Sequence, residues 1–154
     1  MINTKQNVEN RLSRDPATES TYQNLSEIPG PLNKDNKIYS RDIFALALAY
    51  GYQNNIKLPL EKRKQFIRSE NFGKNLPALL KALAVSKSEK GIEILAENTP
   101  EIYNFAEQYA NGGLDLLDSD YSGNTDEFIE KLRLRILKLN KDDKILKKLE
   151  ELDL

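Results

Sequence analysis

Three segments of the chain repeat apolar residues at the spacing of one helix face. This pattern constrains the fold more than any other feature. Ile43, Phe44, Ala47, Leu48 and Tyr50 form the first set, with alanines between them. Leu76, Leu79, Leu80, Leu83 and Ala84 form the second. Ile102, Phe105, Ala106, Tyr109 and Ala110 form the third, at i, i+3, i+4, i+7 and i+8. A chain with such stripes buries them between helices. The first segment is apolar on nearly every side, so it belongs at the centre of the core. The expected fold is therefore all-α, a compact bundle of about five or six helices.

The boundaries follow from capping chemistry. Ser40 is a candidate N-cap with Asp42 in the first turn, where a carboxylate suits the helix dipole. Gly51 reads as the stop of that helix. Pro59 could open a short helix over 60–67. Asn75 with Pro77, and Thr99 with Pro100, mark two further starts. Asn111, Gly112 and Gly113 read as a helix end, because Asn and Gly tolerate the left-handed conformation needed there. Ile92, Ile94 and Leu95 leave a short β element open near 92–95. Helices are expected from Thr125 and from Asp142, the latter carrying Ile145, Leu146, Leu149 and Leu152. Leu132 to Ile136 also alternates like a strand, but length and capping favour the helix.

Three regions result. Residues 1–37 contain Pro29-Gly30-Pro31 and only scattered apolar side chains, and read as a flexible N-terminal arm, in which Tyr22, Leu25 and Ile28, three residues apart, could dock one helical turn on the core. Residues 38–118 form the helical core. Residues 119–154 form a basic helical hairpin that packs on the core or on a partner.

Composition limits the chemistry. The 154 residues include no histidine and no cysteine. Thiol redox, imidazole proton transfer, Cys or His zinc sites and the usual nucleophile pairs are therefore excluded. Carboxylates are the remaining catalytic option, with Glu97, Glu101 and Glu107 on or near one helix. They form no two-metal set, so no catalytic, metal or cofactor residue is assigned. The run Asp118, Asp120, Ser122, Asn124 and Asp126 has the alternating oxygens of a calcium loop. Its twelfth position is Ile129, where a bidentate Glu is required, so a solvated turn is the better reading. No apolar run approaches the roughly 18 to 20 residues of a membrane span, and residues 1–10 are polar. A cytoplasmic location is expected.

The net charge of -1 hides a strong pattern. Residues 57–90 carry nine basic and three acidic side chains. Residues 91–130 carry ten acidic and no Lys or Arg. Residues 131–148 carry eight basic and two acidic. Such blocks make faces of opposite sign, within one fold or between copies of a homo-oligomer. Lys62, Arg63, Lys64 and Arg68, with Lys131, Arg133, Arg135 and Lys138, are candidate phosphate contacts.

Three stretches carry a family likeness. They are Ile43 to Tyr52, Leu79 to Ala84, and Phe105 to Leu114, which ends Glu-Gln-Tyr-Ala-Asn-Gly-Gly-Leu. In order and spacing they resemble the Dnd system-associated protein 4 family, small proteins linked to DNA phosphorothioation gene clusters. The likeness covers about residues 38–118. It implies a setting in DNA modification and anti-phage defence, with no assigned catalytic residues. It singles out Glu107, Tyr109, Asn111, Gly112 and Gly113 as candidate interaction residues. The expected function is a non-enzymatic accessory protein that docks a protein of the system, or DNA. The alternative is direct nucleic-acid binding through the basic faces 62–68 and 131–148.

Overall fold

A computed structural model of the chain describes residues 11–28, 38–97 and 99–139. The fold is mainly α with a small antiparallel sheet. In chain order it runs β1 (Arg11–Arg14), a turn of 3-10 helix at Pro16–Thr18, α1 (Glu19–Leu25), α2 (Ser40–Gln53) and β2 (Lys64–Arg68). There follow α3 (Leu76–Lys87), the single turn α4 (Ile94–Glu97), α5 (Thr99–Tyr121) and α6 (Thr125–Leu139). Two compact units divide at Asp118 and Ser119, so the boundary falls within α5.

The three apolar stripes become α2, α3 and the N-terminal half of α5. Ile43, Phe44, Ala47 and Leu48 of α2 are buried, with Leu80 and Leu83 of α3 and Leu114 and Leu117 of α5. The cap of α2 sits one residue before the expected Ser40. The Tyr39 N–H donates to Asp42 Oδ2 at 3.2 Å, so Asp42 also supports the first turn through the backbone.

Four expectations are corrected. Residues 11–28 are not an arm. Leu12 and Leu25 are fully buried, and Tyr22 and Ile28 nearly so. The segment 64–68 is a strand rather than the end of a helix from Leu60, because its partner β1 lies some fifty residues away and local propensity yields to pairing. The β element is therefore at 11–14 and 64–68. Residues 91–97, where the sequence leaves a strand or a bridging turn open, form a 3-10 turn followed by α4. Finally, α2 runs through Gly51, and α5 runs through Asn111, Gly112 and Gly113 to Tyr121. The expected helix from Asp142, and with it the second arm of the hairpin, lies outside the described residues.

In the sheet, Arg11 faces Arg68, Leu12 faces Ile67, Ser13 faces Gln65 and Arg14 faces Lys64. A bulge between Leu12 and Ser13 accommodates Phe66 as the extra residue. A two-stranded ribbon is marginal alone. This one gains stability by burying Leu12 and Ile67. Its neighbouring loops are tied together by Asp15. That carboxylate accepts from the Ala17 N–H at 3.0 Å and from the Glu61 N–H at 3.1 Å. The Ala17 amide first, with those of Glu61 and Lys62, holds the Asp15 carboxyl below its usual range.

The second unit is smaller. The Tyr121 ring meets Phe128 edge-on at 5.9 Å. Arg135 grips Asp120 with Nε on Oδ2 at 2.5 Å and Nη2 on Oδ1 at 3.0 Å. Asn124 caps α6 by accepting the Glu127 N–H at 3.1 Å. Ile129, Leu134 and Ile136 stay exposed on α6.

Replacing Leu12 by Ala should cost about 2 to 4 kcal/mol in chemical denaturation, as expected for a buried leucine. A loss under about 0.5 kcal/mol, the cost at an exposed site, would mean that residues 11–28 do not belong to the core.

Candidate functional site

The stretch Glu107 to Gly113 of α5 is where the sheet, the connecting loop and α2 converge. Each of its singled-out residues has a distinct task.

Glu107 is 2% exposed. Its Oε2 accepts the Ser13 N–H of β1 at 2.6 Å, beside the bulge. Its Oε1 accepts from Arg63 Nη2 at 2.5 Å. Arg63 Nη1 also reaches Asn104 Oδ1 at 3.5 Å. One carboxylate thus joins β1, the segment entering β2, and α5. Burial pushes the Glu107 carboxyl above its ordinary range, and the Arg63 charge only partly offsets this. Beside it lies a pocket of about 10 Å³, lined by Ser13, Tyr22, Glu107 and Asn111 among others. That is space for one water and for no larger ligand.

Asn111 holds the loop after α2. Its Nδ2 donates to the Leu58 carbonyl at 3.1 Å and the Pro59 carbonyl at 3.3 Å. The Leu58 N–H returns a bond to the Gln108 carbonyl at 3.1 Å. Gly112 lets that loop pass. A Cβ there would stand 2.8 Å from the Ile56 carbonyl carbon and closer still to its oxygen. Gly113 and Gly51 let the two long helices touch backbone to backbone. A Cβ on Gly113 would lie 2.9 Å from the Gly51 Cα, and nearer to the Ala47 carbonyl oxygen. A Cβ on Gly51 would lie 2.8 Å from the Tyr109 carbonyl carbon. The Gly-Gly pair is therefore a crossing point inside a helix, not its end. Tyr109 is buried and meets Tyr52 edge-on at 6.2 Å. Lys87 Nζ lies 5.0 Å from the Tyr52 ring centre and 5.8 Å from that of Tyr109.

The candidate phosphate contacts divide by partner. Arg63 is spent on Glu107 and Arg135 on Asp120. Arg133 pairs with Glu130 on the exposed side of α6, at 2.8 Å. Lys131 and Lys138 are exposed on α6. Lys62, Lys64 and Arg68 are exposed on β2 and the loop before it, and have no ion pair among the described residues. The ribbon adds two cations that sequence reasoning missed. Arg11 stands opposite Arg68, and Arg14 opposite Lys64. The Arg14 guanidinium lies 5.6 Å from both the Tyr22 and the Phe66 ring centres. The signal in the sequence is weak: two arginines flanking Leu12-Ser13 in an otherwise polar segment.

Of the carboxylates considered for catalysis, Glu107 serves as this structural bridge. The oxygens at Asp118 and Asp120 sit on a helix rather than in a calcium loop. Among the described residues no group of three or more carboxylates could hold a metal ion. No described helix is long and apolar enough to cross a membrane.

Gly113→Ala should destabilise the fold by about 3 kcal/mol or more, because backbone atoms fill the space. A Tm within about 2 °C of the native chain would contradict the crossing. Glu107 also has a signature in pH. Its folded-state carboxyl holds its proton to a higher pH than the unfolded one, whose ordinary value is 4.5. The stability this contributes is present below that value and is lost as pH rises through the raised one. Native stability minus that of Glu107→Gln should therefore fall as pH rises from about 4.5. A difference that rises over that window would reverse the sign and refute the burial argument.

No curated protein and no solved structure matches the chain. A family model for DNA sulphur modification system-associated protein 4 matches residues 34–154. That match takes in the basic C-terminal region, which the resemblance read from the sequence had left outside. It contains Glu107, the loop held by Asn111 and the glycine crossing, while β1 precedes it. On this evidence the chain belongs to the DNA sulphur modification system-associated protein 4 family.

Proposed function

We propose that the chain is a non-enzymatic accessory protein of its DNA sulphur modification system, acting in the cytoplasm and in anti-phage defence by docking a partner protein or DNA. The observation that carries this reading is the cationic ribbon. Arg11, Lys62, Lys64 and Arg68 share one small sheet and its entry loop. Like charges opposed across strands destabilise a sheet. The chain accepts that cost and then fixes the ribbon in place with Glu107, Arg63 and Asp15. A rigid, positive surface of this kind suits an anionic partner.

The residues that the family likeness singles out support the same reading. Glu107, Asn111, Gly112 and Gly113 shape and hold the scaffold that presents the ribbon. The ribbon is a better docking face than α6, where Arg133 and Arg135 are engaged by Glu130 and Asp120.

The test uses the full chain with the purified proteins of the modification system, one at a time, and with DNA. Binding is followed by calorimetry at low and high salt. The expected result is one complex that weakens with salt and loses about tenfold or more in affinity in Lys64→Glu/Arg68→Glu, while the fold keeps or gains stability because two like-charge pairs across the ribbon are relieved. Unchanged binding by that variant, or turnover of a DNA or nucleotide substrate by the chain alone, would overturn the reading.

A further inference from the structure

Beside the ribbon, between the start of α2 and β2, lies an open hollow of about 510 Å³. Tyr39, Ser40, Arg41, Phe66, Ile67 and Asn71 line it. Tyr39 is 50% exposed. The Arg41 guanidinium carbon lies 4.8 Å from the Tyr39 ring centre. Arg41 is held there by Nη1 on the Asn71 carbonyl at 3.3 Å, and its Nε lies 3.9 Å from Asp42 Oδ1. The Phe66 ring forms another apolar wall, tilted against Phe44 at 6.1 Å. Arg68 follows Ile67 directly along β2, and Arg11 stands across from it.

We propose that this hollow takes an unpaired base of a single-stranded nucleic acid, with the adjoining phosphates on Arg68 and Arg11. This rests on the docking reading above and names the partner of that surface. Three features converge. The volume lies in the range of small-ligand sites and exceeds what one base needs. An exposed tyrosine with a guanidinium over its ring offers two flat surfaces, and every base has a face that stacks on such surfaces. Cations beside the hollow supply sequence-independent backbone contacts. A base inside a duplex is stacked on its neighbours and could not enter. A protein ligand would supply acidic side chains to the cations but has no need of an exposed Tyr39–Arg41 pair.

The experiment measures fluorescence anisotropy of the full chain with a labelled single-stranded oligonucleotide and with the same sequence as a duplex, over a salt series. The variants are Tyr39→Ala, Tyr39→Phe and Arg68→Gln. Both positions, Tyr39 and Arg68, are exposed, so the variants should keep the native circular dichroism spectrum and Tm. The single strand should bind more tightly than the duplex. Tyr39→Ala should weaken it about tenfold or more without changing the salt slope, and Tyr39→Phe should restore it, because the ring does the stacking. Arg68→Gln should lower the slope by about 0.7, one phosphate contact on a single strand.

Equal affinity for strand and duplex, with no effect of Tyr39→Ala, would overturn the base site. Equal loss in Tyr39→Ala and Tyr39→Phe would also overturn it. So would absence of binding at low salt. In each of these cases the docking reading is still judged separately, by complex formation with the proteins of the system and its loss in Lys64→Glu/Arg68→Glu.

Discussion

One buried carboxylate ties the sheet to the helices. Glu107 accepts a backbone N–H from Ser13 and a guanidinium from Arg63, and so joins strands that are far apart in sequence. With the burial of Leu12 and Ile67, it holds the register of a two-stranded ribbon that carries opposed arginines. Burying a charge costs free energy unless its hydrogen bonds are met. Here they are met by two partners, one on each side of the ribbon. The arrangement converts a marginal sheet into a fixed part of the first unit.

The glycines do the complementary work. Gly51 and Gly113 remove side chains where α2 and α5 cross, and Gly112 does so where the 54–63 loop passes. The close crossing sets α5 against α2 at Tyr109 and Gly113, while Glu107, further back on α5, reaches the sheet. The loop held by Asn111 then delivers Arg63 to Glu107 and starts β2. The ribbon's exposed cations are thus set by a chain of contacts that begins in the helix crossing.

Much of the helical frame was legible because helix periodicity is local. The stripes Ile43 to Tyr50, Leu76 to Ala84 and Ile102 to Ala110 needed no knowledge of their partners. The three stretches together, with Glu-x-Tyr-Ala-Asn-Gly-Gly-Leu the most specific, also pointed to the family. The sheet was hidden because pairing is not local. Arg11 to Arg14 is four residues in a polar segment, and Lys64 to Arg68 follows a proline that suggested a helix. Gly112 and Gly113 misled for a related reason. A glycine that ends a helix and one that admits a neighbouring backbone look alike in sequence. Only the positions of α2 and of the loop after it distinguish them. Glu107 was singled out by the family likeness, but its partner Ser13 could not be read from spacing ninety-four residues apart.

The most direct test of the account is amide hydrogen exchange in the free chain, read at Ser13 and across 64–68. The account has Ser13 bonded to a buried carboxylate within a ribbon packed on the core. It predicts protection at Ser13 and Ile67 approaching that of the central turns of α2 and α5. Exchange at Ser13 as fast as in an unstructured peptide, with α2 and α5 still protected, would mean that β1 is not part of the fold, and the rigid cationic ribbon would be refuted.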